Sequence, residues 1–384
     1  MSESTFQFFW RDRSVRPQFR SGVSLHSHTM YSEESLEIVP RYTARVPFLA
    51  EQLLHASHRN KNDGGRRLDF ANGFWTPPLS PRQAYKLEER QIEEKLGLTG
   101  LVSLTDHDDI RAGIQLQILD ESRNAPVSTE WTVPFGRTYF HLGIHNLPAA
   151  KAATIMDGFR AFTAKPHIRD FPDLLHTLHS QADVLVVLNH PFWDETGTGP
   201  GEHAQALGRF LERYGRWFHA IELNGLRSWE ENQKVVSLGR DMALPLISGG
   251  DRHGLEPNAL VNLSCGRTLA EFIHDIRYSR RSHIVFMPQY REPLKMRVLQ
   301  TMADVVREYP QNPVGRRYWT DRVWFRTSAA EPPMTLSTIW ANTEPTMVRW
   351  FLRAMRWSEF RGVRTALRFA FEERLAWPDG GAPI

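Results

Sequence analysis

VLVVLNHPFW, residues 184–193, is an apolar run of five that stops at an asparagine, a histidine and a proline. Five residues are far too few to span a bilayer, and a short β-branched run bounded by polar and breaker residues reads as a buried strand. Its polar end, Asn189 and His190, therefore sits where that strand emerges from the core. Similar short runs recur at Val23–Leu25, Leu101–Leu104, Ala220–Leu223, Leu244–Ser248 and Ile284–Met287. Helical patterns lie between or beside them, at Pro81–Leu96, Phe171–Ser180, His203–Tyr214 and Trp229–Arg240. Strands alternating with amphipathic helices predict β/α units and a largely parallel sheet.

The 384 residues, 41% of them hydrophobic, suffice for a substantial core. The opening stretch MSESTFQFFWRDRSVRP lacks the apolar segment of a secretory signal, so a cytoplasmic location without membrane contact is the expectation. The lone cysteine, Cys265, supports neither an internal disulfide nor a thiolate metal site and is expected to be a small buried hydrophobe. Any metal must then be held by His, Asp and Glu. The net charge is +3, and residues 291–384 carry 15 Lys and Arg against 10 Asp and Glu, so the basic surplus lies at the C-terminal end.

Polar residues gather at the ends of the apolar runs. SGVSLHSHTMYSEES, residues 21–35, sets His26 and His28 two apart; in an extended chain they share a face and can converge on one point, or simply bond each other. LVSLTDHDD ends in Asp106, His107 and Asp108, and PLISGGDRHG ends in Asp251 and His253, again two apart. VSTEWTVPFGRTYFHLGIH offers Glu130 and His141 on two extended pieces around a turn at Pro134–Gly136. One histidine with an acid near a strand end is common, but several in chain order point to a metal centre at converging strand ends.

The stretches LHSHTMYSE, LTDHDD, the pair Glu130 and His141, LNHP, IELN and SGGDRHG together resemble the polymerase and histidinol phosphatase (PHP) family of metal-dependent phosphoesterases, over about residues 23–254. The resemblance implies a distorted seven-stranded β/α barrel of TIM-like type and two or three divalent metal ions. In that scheme His26, His28, Glu130 and Asp251 hold one metal; Glu130, His141 and His190 hold a second, with Glu130 bridging; Glu33, His107 and His253 hold a third. By the same resemblance Glu130, His190 and Asp251 are expected to carry the catalysis. Imidazole and carboxylate donors suit zinc, manganese or iron, and clustered ions supply an activated water and clamp a phosphoryl group.

The chain departs from the family pattern at three places. Glu33 stands where aspartate is usual, and Arg252 stands where a small residue is usual, predicting a salt bridge on the side away from the metals or a phosphate contact. Residues 35–79, polar and punctuated by glycine and proline, form an insertion after the first strand, expected over the metal face, where His55, His58, Arg66 and Arg67 are either substrate contacts or solvated loop. Asp106 and Asn189 adjoin ligands and either orient imidazoles or cap strand ends. His145 and His203 are candidate proton donors, and Arg111, Arg137 and Arg227 candidate phosphate contacts.

The expected organisation is a barrel over 1–290 and a mainly helical, basic extension over 291–384. Within Thr346–Trp377, Val348, Phe351, Met355 and Leu367 fall near one side of a helix, and Arg349, Arg353, Arg356, Arg364 and Arg368, beside Trp350 and Trp357, near another. That stripe is a solvated face or a contact for nucleic acid or an acidic partner. The function expected is a phosphoesterase acting on a small phosphomonoester or nucleotide. The alternatives are a nuclease acting on nucleic-acid ends and an inactive metal-binding scaffold.

Overall fold

The computed structural model describes residues 3–37, 69–167, 169–326, 331–340, 348–350, 352–353 and 360–371. Their strands are β1 (Glu3–Phe8), β2 (Ser21–Leu25), β3 (Glu34–Ser35), β4 (Gly73–Trp75), β5 (Thr99–Ser103), β6 (Val127–Phe135) and β7 (Thr138–Leu147). There follow β8 (Leu185–Asn189), β9 (Ala220–Asn224), β10 (Leu246–Gly249), β11 (Leu260–Ser264), β12 (Arg281–Phe286), β13 (Val323–Phe325) and β14 (Met334–Thr335). The chain divides into two compact units: the described residues of 1–32, 79–298 and 371, and those of 33–78 and 299–370.

The first unit holds two five-stranded sheets, ordered β1-β12-β11-β2-β5 and β10-β9-β8-β7-β6. Each is mixed: β11 runs antiparallel to both β12 and β2, and β7 antiparallel to both β6 and β8, while the remaining neighbours are parallel. The expected seven-stranded, largely parallel TIM-like barrel is therefore corrected: two mixed sheets and a separate antiparallel one occur among the described residues, and none closes.

The reason lies at the sheet edges. Beside β10, the side-chain amide of Asn262 donates to Ser248 O (3.1 Å) and accepts from Ser248 N (2.8 Å), occupying backbone groups that a closing strand would need. Between β5 and β6 the contact is a hydroxyl pair, Ser103 with Ser128 (2.9 Å), and a single bridge beyond the strand end, His107 with Glu130. Side chains thus stand where a ladder would run.

The apolar run at 184–188 is explained by burial on both faces. Val186 and Leu188 join a core with Trp131, Phe159, Phe171, Phe210 and Trp229, contributed in part by the helices Ala149–Ala164, Asp170–His179, Pro200–Tyr214 and Trp229–Asp241. Leu185 and Val187 face the other way, into a second cluster with Val23, Leu25, Ile247 and Phe272. Each such side chain contributes about 1.5–3 kcal/mol on burial. The strands β1 and β11 and the helix Ala149–Ala164 are among the elements with no counterpart in the sequence expectations, and Cys265, in the turn after β11, is exposed rather than buried.

In the second unit, β4 pairs with β3 and with β13, giving the sheet β14-β13-β4-β3. The described end of the 35–79 segment is thus a strand in one sheet with residues 323–335, over a core of Leu36, Phe325, Leu336 and Trp340. His55, His58, Arg66 and Arg67 lie outside the described residues, as do Met355, Arg356 and Trp357. Arg364 and Arg368 lie on the helix Arg361–Ala370, and the Arg353 guanidinium sits 5.2 Å from the centre of the exposed Trp350 ring. Among the described residues no helix is long and apolar enough to cross a membrane.

Candidate metal centre

Two segments lying side by side build the centre. After β2 ends, Gly250 N–H donates to Leu25 O (3.0 Å), Asp251 N–H to His26 O (2.8 Å) and His28 N–H to Arg252 O (2.9 Å). This pairing of 25–28 with 250–252 brings His26 and His28 to Asp251 and His253. The route differs from the one expected, because His26 (φ 61°) and Asp251 (φ 53°) are left-handed, so neither pair rides on an extended strand. His190 (φ 23°) and Asp108 (φ 49°) share the left-handed conformation, and residues with a Cβ persist there where the surroundings over-determine them. Asp108 shows how: its N–H donates to Glu130 O (2.9 Å) and its carboxylate accepts from Thr132 N (3.0 Å), bracketing Glu130, while burial pushes its carboxyl up to about 6.

Glu130, fully buried on β6, is the hub. One carboxylate oxygen lies 2.9 Å from His26 Nε2, 3.3 Å from His28 Nε2 and 3.5 Å from His107 Nε2. The other lies 3.1 Å from His190 Nε2 and 3.5 Å from His141 Nδ1, and accepts from the Asn189 amide (2.9 Å). Asp251 Oδ1 stands 3.5 Å from His28 Nε2 and 3.8 Å from His26 Nε2. The imidazoles of His253, His28 and His107 stack in succession, with centroids 4.2 and 4.8 Å apart. Three adjacent imidazolium rings would repel, so the stack favours neutral rings, the form in which an imidazole nitrogen can hold a cation.

Glu33 belongs to the second unit, where its half-exposed carboxylate is paired with Arg326 (2.5 Å), and no metal-competent group among the described residues contains it. Arg252 points away from the centre and is buried against Glu88 (2.7 Å), with its other nitrogens on Gly254 O and His28 O. Asp106 accepts from Thr29 N and Thr29 Oγ1, and the Asn189 amide steadies Glu130. His145 is bonded to Ser103 (2.8 Å), and burial lowers it to about 3, so it is neutral and has no proton to give at neutral pH. His203 is buried, with Nε2 on Pro191 O (2.9 Å). Arg111 is held by Asp109, and Arg137 faces Glu202 at 3.6 Å. Arg227 does reach the centre, 3.1 Å from Asp251 Oδ2, with its guanidinium 4.4 Å from the Trp193 ring centre.

Sequence reasoning passes over two carboxylates. Glu222, on β9, contacts His26 Nδ1 (2.5 Å) and accepts from His190 N (3.0 Å) and the Asn224 amide (3.0 Å). The signal for it was an acid inside an otherwise apolar strand, AIELN, since a fully buried carboxylate needs a partner. Glu195, on the loop after β8, lies 3.3 Å from His141 Nε2, and nothing in its local sequence marks it.

The donor set fits a divalent cation. Glu222 fixes the tautomer of His26 by accepting a hydrogen bond from Nδ1–H, which leaves an Nε2 lone pair facing the Glu130 carboxylate. That contact is repulsive unless a proton or a cation lies between. Burial opposes a charge on His26, yet Glu130 and Glu222 outweigh it and hold the ring well above its usual range, so proton and metal compete for one lone pair. Burial pushes Glu130 up, and the surrounding histidines outweigh it, keeping the carboxyl well below its ordinary range; Asp251 is likewise kept ionised, chiefly by Arg227. His141, by contrast, is lowered well below its usual range, above all by burial, and its Nδ1 is buried without a hydrogen-bond partner, as a ligand nitrogen awaiting a cation would be. Nitrogen and oxygen donors with no thiolate suit borderline divalent ions.

No family model matches the chain, and no curated protein matches it. Among solved structures, an amidohydrolase from Chromobacterium violaceum, with bound sulfate and no metal, is 14% identical, with 66% of this chain and 96% of that chain covered and a TM-score of 0.37. PsfC from Pseudomonas syringae is 18% identical, with 58% and 87% covered and a TM-score of 0.38. A protein from Bifidobacterium adolescentis, provisionally described as a metal-dependent phosphoesterase, is 14% identical, with 68% and 96% covered and a TM-score of 0.35. Similarity this low assigns neither family nor activity.

Proposed function

We propose that the chain is a metal-dependent phosphoesterase of the PHP type, hydrolysing a small phosphomonoester or a nucleotide. The observation that carries the reading is Glu130, whose two carboxylate oxygens each face histidine nitrogens from different strand ends, the disposition of a bridging ligand. His26, His28, Glu130 and Asp251 would hold one ion, and Glu130, His141 and His190 another. When bound, such ions lower the pKa of water toward neutrality and neutralise charge on phosphoryl oxygens. The chain's own residues do the rest. Glu222 holds His26 in the tautomer that offers Nε2, Asn189 fixes the Glu130 carboxylate, and Arg227, kept in place by Asp251 and Trp193, sets a guanidinium beside the centre for a phosphate oxygen.

Metal analysis of the purified protein, with turnover on p-nitrophenyl phosphate, bis(p-nitrophenyl) phosphate, nucleotides and short oligonucleotides, tests this. The expected result is metal-dependent hydrolysis of a phosphomonoester, with both metal content and rate lost in Glu130→Gln. A metal-loaded protein that hydrolyses none of these esters, or a fully active Glu130→Gln variant, overturns the proposal.

A further inference from the structure

A cavity of about 360 Å³ opens beside the tip of the β6–β7 hairpin, within the roughly 300–1,000 Å³ range of small-ligand pockets. Strand alternation puts it on the other side of that hairpin from the metal centre. Glu130 faces the candidate metal centre, whereas Trp131, Val133 and Phe135 face the helices, where Trp131 stacks on Phe159 at 4.1 Å. The tip is a two-residue loop, Gly136-Arg137, with φ 66° at Gly136, which places Arg137 at the cavity mouth.

The lining has two chemistries. Phe135, Phe162, Phe171 and Tyr214 give an aromatic wall. The helix Pro200–Tyr214 presents Glu202, Ala206, Arg209 and Arg213 at steps of four, three and four residues, one stripe of its surface. Small Ala206 leaves the space open. Arg209 and Arg213, both exposed, are like charges one turn apart, and among the described residues neither has an ion-pair partner. With Arg137, the cavity holds three guanidiniums against one carboxylate, Glu202.

We propose that this cavity is a binding site for an amphiphilic anion: a flat apolar body against the aromatic wall, with a sulfonate, phosphate or carboxylate head between Arg209 and Arg213. It stands independently of the metal centre.

The test is calorimetric titration of naphthalene-2-sulfonate in chelator-containing buffer at low salt. One site per chain is expected, weakened about tenfold or more in Arg209→Ala/Arg213→Ala, whose exposed positions leave the fold intact, and weakened similarly for neutral 2-naphthol. Ala206→Leu, which fills the cavity, should remove binding. Absence of saturable binding, equal affinity in the double arginine variant, or affinity that responds to Asp251→Asn and not to the arginines would each overturn the proposal.

Discussion

Gly249→Ala is a one-carbon test of how the metal centre is braced. A Cβ at Gly249 would overlap Glu222 Oε1 and stand 2.6 Å from its Cδ and 3.0 Å from its Cγ. Gly249 has no left-handed φ, so the cost arises from space and not from backbone preference. Glu222 is buried and committed to His26, His190 N and Asn224, so moving it strands a buried imidazole and a buried backbone N–H together. The alternative, retreat of β10, breaks its pairing with β9, in which Gly249 lies opposite Asn224. Leaving buried partners unmet costs about 1–3 kcal/mol each, so a loss near 3–5 kcal/mol in unfolding free energy is expected. Metal affinity should fall about 10–100-fold, because the group that orients His26 is displaced. Urea denaturation of chelated protein and a competitive metal titration measure the two effects. The decisive comparison is a double-mutant cycle with Glu222→Ala, which removes the obstruction and should make the pair less costly than the sum of its members. Wild-type stability and affinity in Gly249→Ala, or strict additivity in the cycle, would refute the argument.

His219 should make the fold acid-sensitive: its Nδ1 accepts from Val186 N (2.9 Å), and burial, with Arg277 and His179, lowers it to about 3. The unfolded chain takes up this proton near pH 6.5 and the folded chain only near 3, so stability present above pH 6.5 is lost as pH falls through that window, by about 5 kcal/mol in full. His219→Gln should flatten the difference in urea midpoints between pH 7.5 and 5, and an unchanged slope would rule the mechanism out. Arg252→Met strands Glu88 in the interior and should lower unfolding free energy by about 3–5 kcal/mol; a drop below about 1 kcal/mol would mean that water reaches the pair. Glu33→Ala should leave metal stoichiometry unchanged, since Arg326 holds that carboxylate, and loss of one ion per chain by elemental analysis would return Glu33 to the ligand set.

What could be read in advance was local. The run at 184–188 declares a strand buried on both faces because its neighbours in sequence suffice to show it, and the histidines and acids at the ends of β2, β5, β8 and β10 follow from where apolar runs stop. What could not be read was pairing. Whether β10 closes on the other sheet depends on Asn262, a residue fourteen positions from Ser248, and an amide in mid-strand carries no local mark of that task. The left-handed turns at His26 and Asp251 were equally hidden, since such backbone favours glycine, and sequence pattern gives no reason to put a histidine or an aspartate there. Glu33 shows the converse: an acid at a plausible spacing, engaged elsewhere by an arginine 293 residues away.

The left-handed backbone at His26, Asp108, His190 and Asp251 also bears on how this chain would age without selection. Each of these residues carries a Cβ where glycine would sit at ease, at a cost of about 1–2 kcal/mol. If the proposed metal centre is functional, replacing His26, His190 or Asp251 would relax the chain while removing a ligand, so stability and activity would pull in opposite directions there. A copy freed of its task would drift first to glycine or asparagine there, with its core still intact.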